Sequence, residues 1–246
     1  MNITNTDIYD TEFVSGMFDR MSKTYGLANL ITSFGFTARW RRQCLNNLPV
    51  VKKQSVGFDL MSGMGESWID IQNNIDDNSK IIALDISDEM NRKASEHLKR
   101  LKNKNVEIKK ANILNNDIPD NSADFIISTF GIKTFNKNQQ SQLAIEIHRI
   151  LKTEGSFSFI EISKPNPLIL KWIYMFYLEF IIPLIGMIFM GNSEDYRMLG
   201  QYCKRFNNSK YFYSCLKKSG LKSVYKNYFF GCASGVYGTK KANDKN

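Results

Sequence analysis

The chain has 246 residues, of which 43% are hydrophobic and 13% aromatic, and its formal net charge is +9. This composition excludes disorder as the main state, because the apolar surface available for burial can offset the entropy lost on folding. The positive excess lies in residues 201–246, where ten basic residues accompany one acid, Asp244. With 24 Lys against 9 Arg, we interpret this excess as a solvated surface and expect no nucleic acid partner, since Arg makes the better bidentate phosphate contacts.

The four cysteines are scattered along the chain, with no CxxC pair and no histidine at ligand spacing. Because zinc sites need clustered soft ligands, we expect no metal site. The first residues show neither the charged region nor the apolar region of a signal peptide. We therefore expect a cytoplasmic protein whose thiols are reduced.

Residues 1–50 show a helical pattern in which apolar positions recur every four residues, with expected interruptions at Ser15-Gly16 and Tyr25-Gly26. From residue 55 onward, short apolar strands alternate with helices, which predicts βαβ units and a parallel sheet. The predicted strands cover residues 56–61, 81–85, 105–109, 124–129 and 156–162, and the helices begin near 67 or cover 87–102 and 139–151. Two further strands, 222–229 and 233–240, are predicted to form an antiparallel edge.

Residues 168–190 form the most apolar stretch of the chain, with 19 apolar residues out of 23. This length suits a membrane span, which needs about 20 residues. Lys171, Glu179 and Pro183 argue against spanning, because charges at the bilayer centre are costly. We expect a buried helix or a lid over an apolar pocket, with an interfacial helix at a membrane surface as the alternative.

The sharpest local feature joins the first two strands of the predicted sheet. After Asp59, the pair Gly63 and Gly65 lets the backbone turn tightly and approach a ligand without a Cβ in the way. The next helix offers N-terminal amides to an anionic group, and Asp85 can accept hydrogen bonds from two ribose hydroxyls. This arrangement fits a dinucleotide as well as S-adenosylmethionine, although the third glycine of the dinucleotide pattern is missing.

Four ordered blocks between about Val14 and Lys240 resemble the ubiquinone/menaquinone biosynthesis C-methyltransferases, within the class I S-adenosylmethionine-dependent methyltransferases. The blocks are Met17–Tyr25 with Trp40-Arg41, Asp59–Gly65, Pro119–Asp124 with Phe130-Gly131, and Arg149–Lys152 with Glu161–Asn166. The resemblance implies a Rossmann-like α/β fold with a mostly parallel seven-stranded sheet, an antiparallel edge strand, and N-terminal and lid helices. It implies a single methyltransferase domain over 1–246, made of N-terminal helices (1–50), a cofactor-binding core (51–165), an apolar lid insertion (166–206), and the last helix and edge strands (207–246).

The resemblance also implies S-adenosylmethionine as cofactor and S-adenosylhomocysteine as product. The loop after the first strand would hold the methionine portion, Asp85 the ribose, and Ile86 and Met90 the adenine, with Tyr25 closing over the sulfonium. The full set of implied cofactor-binding residues is Tyr25, Asp59, Ser62, Gly63, Gly65, Asp85, Ile86, Met90, Asn112, Ile113 and Thr129. Packing in the helix core stays open for Met90, and a plain turn position stays open for Asn112.

The implied acceptor is a lipophilic or aromatic small molecule, with carbon methylation of a polyprenyl quinol as the family case. Its walls would be formed by Phe18, Phe34, Trp40, Tyr177 and Tyr196, each of which could instead be a core residue. Because methylation of a hydroquinone ring requires a proton to leave, we expect an acid or base near the acceptor. The catalytic candidates are Lys133 and Tyr25, and a solvated loop lysine is the alternative for Lys133.

The sequence departs from the family's pattern at positions that would face the acceptor. Gly26 stands in place of an Asp, Thr37 in place of a His, and Lys133-Thr134 in place of an Arg-Asn pair. Two other functions therefore stay open: methylation at C, N or O of a secondary metabolite, and cofactor binding without methyl transfer. A homodimer and peripheral contact with an anionic membrane through the basic residues also stay open.

Overall fold

The computed structural model describes residues 7–22, 33–49, 54–101, 105–190 and 193–242. Its strands are β1 (Val56–Leu60), β2 (Lys80–Asp85), β3 (Val106–Lys110), β4 (Ala123–Thr129), β5 (Leu151–Ile162), β6 (Leu221–Tyr228) and β7 (Ala233–Lys240). They form one sheet in the order β3-β2-β1-β4-β5-β7-β6. Strands β1 to β5 pair in parallel, whereas β7 is antiparallel to both β5 and β6. The predicted Rossmann-like α/β sheet with antiparallel pairing at one edge is confirmed.

The helices of the described residues lie close to their predicted positions. They are α1 (Thr11–Met21), α2 (Phe36–Leu45), α3 (Trp68–Gln72), α4 (Asp88–Leu98), α5 (Lys137–Ile150), α6 (Leu168–Phe176), α7 (Ile182–Met190), α8 (Ser193–Phe206) and α9 (Lys210–Lys218). The expected interruption at Ser15-Gly16 is wrong, because α1 continues through both residues. The Ser15 hydroxyl donates to the Ile86 carbonyl at 3.2 Å, so this polar side chain makes a tertiary contact rather than ending the helix. Tyr25-Gly26 lies outside the described residues.

Helix α1 is fixed to the sheet at the point where a ligand would bind. The strand order changes direction between β1 and β4, and in such sheets ligands occupy the crevice beyond the carboxyl ends of these strands. Asp19 of α1 accepts hydrogen bonds from the Ser87 hydroxyl at 2.5 Å and from the Glu89 amide at 3.0 Å. These bonds tie α1 to the start of α4, directly after β2, and α1 therefore borders the crevice.

Helix α6, the π-helical turn Tyr177–Ile181 and α7 form one continuous apolar segment. The turn packs closely on α8, because a Cβ on Gly200 would lie 3.0 Å from the Leu178 carbonyl oxygen. None of the residues of α6 is buried, so the buried-helix alternative is wrong for this helix, while the lid over an apolar pocket stays a prediction. Among the described residues, Leu168–Met187 is the one helix whose length and composition would suit a membrane span. Core helices of other proteins also meet these two criteria.

Candidate active site

The loop after β1 and the end of β2 meet at the crevice. Gly63 and Gly65 have positive φ values of 56° and 78°, and a Cβ on Gly65 would come within 2.5 Å of the Trp68 ring. Both carboxylate oxygens of Asp85 accept backbone amides, Oδ2 from Gly63 at 2.8 Å and Oδ1 from Ser87 at 2.9 Å. Burial raises the pKa of Asp85 to about 6, and these amide bonds act in the opposite direction. Each oxygen keeps a lone pair for a ligand hydroxyl.

A first cavity opens beside this carboxylate, and most of the predicted cofactor residues line it. Those that do are Ser62, Gly63, Asp85, Ile86, Met90, Asn112, Ile113 and Thr129. Phe18, which the sequence assigned to the acceptor wall, lines this cavity as well. Asp59 and Gly65 are not among its lining residues, and Tyr25 lies outside the described residues. The sequence therefore predicted most of the residues that line the first cavity, whereas Phe18, predicted for the acceptor wall, lies at this cavity and not at the second.

Asp59 supports the loop from behind rather than facing the first cavity. Its carboxylate is buried and accepts a hydrogen bond from the Trp68 indole N–H at 3.1 Å. Burial raises the pKa of Asp59 to about 8. The same Trp68 ring lies under Gly65, so the Asp59–Trp68 bond holds the surface on which the loop rests.

Two charged residues to which the sequence assigned no role, Arg41 and Glu66, also line the first cavity. Arg41 Nη2 lies 3.5 Å from Glu66 Oε1. In the described part of the chain, Arg41 Nε, Glu66 Oε1 and the Ser62 hydroxyl are buried without a hydrogen-bond partner. Buried polar atoms are normally paired, so these three atoms indicate a polar ligand. A cation beside an anion suits the carboxylate and ammonium of a methionine group, and the residues present therefore fit S-adenosylmethionine.

A second cavity of about 330 Å³ lies under the apolar segment. Four of the five residues predicted for the acceptor wall line it: Phe34, Trp40, Tyr177 and Tyr196. Residues of α6 and the π-helical turn also line it, among them Leu170, Tyr174 and Leu178. Thr37 and Lys133, two of the positions that depart from the family's pattern, face the same cavity. The cavity is thus aromatic and aliphatic with few polar groups, as expected for a lipophilic ligand.

Among the described residues that line the second cavity, Lys133 is the one with a charged side chain. It is buried, with 3% of its side chain exposed. The solvated-loop alternative for this residue is therefore wrong. Its Nζ donates to Glu161 Oε1 at 3.0 Å and to the Phe130 carbonyl at 2.5 Å. Glu161, at the end of β5, has no exposed side-chain surface and also accepts the Lys133 amide on Oε2 at 3.0 Å. The sequence could not show this pair, because its members lie 28 residues apart on neighbouring elements.

Phe130 lines both cavities and lies directly after the end of β4. Its φ of 68° turns the chain sharply, and its ring lies 5.4 Å from the Arg41 guanidinium and 6.5 Å from the Trp40 ring. Cys203 and Cys232 also line the second cavity, and burial raises the pKa of these thiols to about 12 and about 11. The two cavities therefore adjoin at Phe130, with a polar ligand site on one side and an apolar one on the other.

The fold and the first cavity define an S-adenosylmethionine-dependent methyltransferase of the Rossmann-like class. The structure is similar to a phosphoethanolamine N-methyltransferase from Haemonchus contortus solved with S-adenosylhomocysteine (TM-score 0.67, 12% identity, covering 97% of this chain and 61% of that protein). It is also similar to an S-adenosylmethionine-dependent methyltransferase from Aquifex aeolicus (TM-score 0.54, 19% identity, 81% and 89% covered).

Within this class, the chain belongs to the ubiE/COQ5 methyltransferase family, whose sequence pattern matches residues 5–240. It is 26% identical to demethylmenaquinone methyltransferase from Lactiplantibacillus plantarum over 231 residues, 93% of this chain and 96% of that protein. The enzyme of the same name from Bacillus cereus is also 26% identical, over 230 residues. The predicted family, methyltransferase activity and cofactor are thereby confirmed.

Proposed function

We propose that the protein transfers a methyl group from S-adenosylmethionine to a ring carbon of a lipophilic quinol. The observation that carries this proposal is the apolar second cavity, which adjoins the cofactor cavity at Phe130 and has one buried cation, Lys133, at its wall. A quinol ring with an apolar tail matches both features, since its body is apolar and its oxygens need a polar partner. The names of the relatives from two bacteria point to the same acceptor class.

On the cofactor side, we assign the ribose hydroxyls to Asp85 and the methionine group to Arg41, Glu66 and Ser62. Ile86 and Met90 would pack on the adenine beside Asn112 and Ile113, while Gly63 and Thr129 complete the wall. Asp59 and Gly65 would act through the loop rather than by contact, because neither lines the cavity. Tyr25 remains a candidate for closing the sulfonium side.

In the second cavity, we propose that Lys133 acts as an anchor for a ring oxygen rather than as a base. An ammonium that is paired with Glu161 at 3.0 Å donates hydrogen bonds and stabilises negative charge on a phenolate. Such a charge increases the electron density at the neighbouring ring carbon. When bound, S-adenosylmethionine supplies an electrophilic methyl group and leaves as S-adenosylhomocysteine. The ring carbon that takes the methyl group would then lose its proton to water, which would restore aromaticity.

We further propose that residues 1–246 act as one domain, in which 166–206 covers the second cavity as a lid. The aromatic residues Phe34, Trp40, Tyr177 and Tyr196 would then hold the ring, whereas Phe18 would contact the cofactor. A cytoplasmic location and the absence of a nucleic acid partner belong to the same proposal, and a homodimer is compatible with it.

The proposal is tested with methyl-labelled S-adenosylmethionine and a prenylated 1,4-naphthoquinol that lacks the ring methyl group. We expect label on a ring carbon with the wild type, loss of cofactor binding with Asp85→Ala, and retained cofactor binding but at least about tenfold lower kcat with Lys133→Met. Lys99→Met, at an exposed lysine directly after the end of α4, is the matched control and should leave both unchanged. Cofactor binding by the wild type without transfer to the quinol would overturn the proposal and favour a binding protein.

A further inference from the structure

The outer face of the segment 168–187 carries an unusually large exposed apolar stripe. Leu168, Ile169 and Trp172 are 80%, 78% and 75% exposed, and the stripe continues through Phe176, Phe180 and Met187. We call these six residues the apolar ridge. The rings of Trp172 and Phe176 stack at 6.2 Å, and those of Phe176 and Phe180 at 5.1 Å. Apolar surface of this extent is costly in water and marks an interaction site.

The segment lies on the protein with two apolar faces rather than standing free. Leu170, Tyr174 and Leu178 of its inner face line the second cavity, while the ridge points outward. A span would have to leave this cavity, and it would carry Lys171 and Glu179 into the hydrocarbon. The geometry instead matches a helix that lies in the plane of a bilayer, with one side on the protein and the other in the headgroup region.

Basic side chains border the ridge. Lys164, Lys171 and Lys204 line one surface groove with Trp172 and Phe176. Burial, together with the neighbouring charges of Lys171 and Lys204, lowers the pKa of Lys164. Arg197 and Arg205 line the adjoining groove with Phe180 and Met187. Among the described residues that line these two grooves, the one acid is Glu179, 3.3 Å from Lys204. The border of the ridge is therefore strongly positive.

We propose that the apolar ridge docks on an anionic lipid bilayer. A bilayer supplies both partners that the surface needs: acyl chains for the ridge, and negative headgroups for the five cations. A second copy of the chain would bring the same cations to the same face, and like charges would oppose the contact. Three other lysines of the basic C-terminal region, Lys210, Lys217 and Lys226, lie against tyrosine rings of α9 and β6 and line neither groove.

Docking places the second cavity at the bilayer surface. Phe34 lines the cavity and is 80% exposed, and its ring lies 6.1 Å from that of Tyr177. Ile173 likewise lines the cavity and is exposed beside the ridge. A lipophilic acceptor could then pass from the acyl chains into the cavity without crossing water. This route rests on the proposed function, whereas the docking itself does not.

Vesicle flotation of the full chain, without cofactor or acceptor, tests the docking. The wild type should bind phosphatidylcholine vesicles containing phosphatidylglycerol, and added salt should weaken the binding. The triple variant Lys164→Gln/Lys171→Gln/Lys204→Gln should lower the partition coefficient between vesicles and water roughly 100-fold, because each lysine near the surface contributes about a factor of five. Trp172→Ser/Phe176→Ser/Phe180→Ser should abolish binding. Lys210→Gln/Lys217→Gln/Lys226→Gln carries the same charge change away from the ridge and should bind nearly as the wild type does.

The outcomes separate docking from its alternatives. No binding by the wild type, or an equal loss with the Lys210/Lys217/Lys226 control, would overturn the proposal. Sedimentation equilibrium tests whether a second copy of the chain covers the ridge instead. The proposal would also be overturned if the wild type is a dimer that the ridge substitutions dissociate while the substituted protein still binds vesicles as the wild type does. Because flotation uses neither cofactor nor quinol, a failure of the proposed methyl transfer leaves its result intact. A far-UV circular dichroism spectrum and a urea unfolding midpoint equal to those of the wild type would show that the ridge variant is folded.

Discussion

Replacing Lys133 by Met removes a cation from a fully buried carboxylate, and the cost can be worked out from the contacts of Glu161. Coulomb's law with an effective dielectric constant of about 20 gives roughly 5 kcal/mol for the Nζ–Oε1 attraction across 3.0 Å. After the substitution, Glu161 still accepts the Ile162 amide at 2.8 Å and the amide of residue 133 at 3.0 Å. We therefore expect Lys133→Met to lower the free energy of unfolding by about 3 kcal/mol, the lower end for a broken buried pair.

Glu161→Gln should cost more than Lys133→Met. The Lys133 ammonium then keeps its hydrogen bond to the Phe130 carbonyl but loses its charged partner. In addition, the amide NH₂ group of the glutamine takes the place of a carboxylate oxygen that now accepts a hydrogen bond from a backbone N–H group. We expect a loss of about 4 kcal/mol for this variant. In the double variant the two penalties overlap, so its loss should be smaller than the sum by at least about 2 kcal/mol.

Urea denaturation of the wild type, both single variants and the double variant measures this cycle. Lys99→Met, at an exposed position, should change the free energy of unfolding by less than about 0.5 kcal/mol and serves as the control. Additive losses, or a Lys133→Met loss no larger than that of the control, would refute the conclusion that the pair is a buried, coupled unit. Turnover of the folded fraction of Lys133→Met separates the anchor role from the structural one.

Two further predictions concern the cofactor loop. Calorimetric affinity for S-adenosylmethionine should fall as the pH drops through about 6, because the Asp85 carboxyl then takes up its proton. The pKa of Asp85 in the folded state lies above the ordinary 3.8, so the folded protein takes up this proton before the unfolded chain does. As the pH falls from about 6 to 4, the unfolding free energy of the wild type relative to Asp85→Asn should therefore rise. An affinity independent of pH down to 5 would contradict the ribose role. Gly65→Ala should cost about 1–3 kcal/mol, since it combines a φ of 78° with a Cβ 2.5 Å from the Trp68 ring, and a shift in tryptophan fluorescence should report the displaced ring; an unchanged spectrum and stability would argue against this packing.

The sheet and most of the first cavity could be predicted because their signals are local. Apolar strands such as β1 end in a loop with two glycines, and the acid Asp85 ends the next strand, so chain order alone brings them to one crevice. Arg41 and Glu66 were not predicted as ligands, because they approach one another from separate elements, 25 positions apart in sequence. The role proposed for them rests on the buried atoms around them that have no hydrogen-bond partner.

Burial was the property that the sequence predicted least well. The apolar residues of 168–187 look the same in sequence whether they face a core or solvent, and the inner and outer faces differ only through their contacts with the second cavity. Lys133 shows the converse, since a lysine in a loop is normally solvated and its burial depends on Glu161, a partner distant in sequence. In both cases tertiary contacts, rather than local propensity, decide the outcome.

The two cysteines at the second cavity bear on the chemical compatibility of protein and acceptor. A quinol that oxidises becomes a quinone, an electrophile that thiolates attack to form stable adducts. With pKa values of about 12 and about 11, Cys203 and Cys232 are thiolates in at most roughly one molecule in ten thousand at pH 7. The apolar surroundings of the second cavity thus keep both sulfur atoms protonated, and the oxidised form of the proposed quinol acceptor would meet thiols there rather than reactive thiolates.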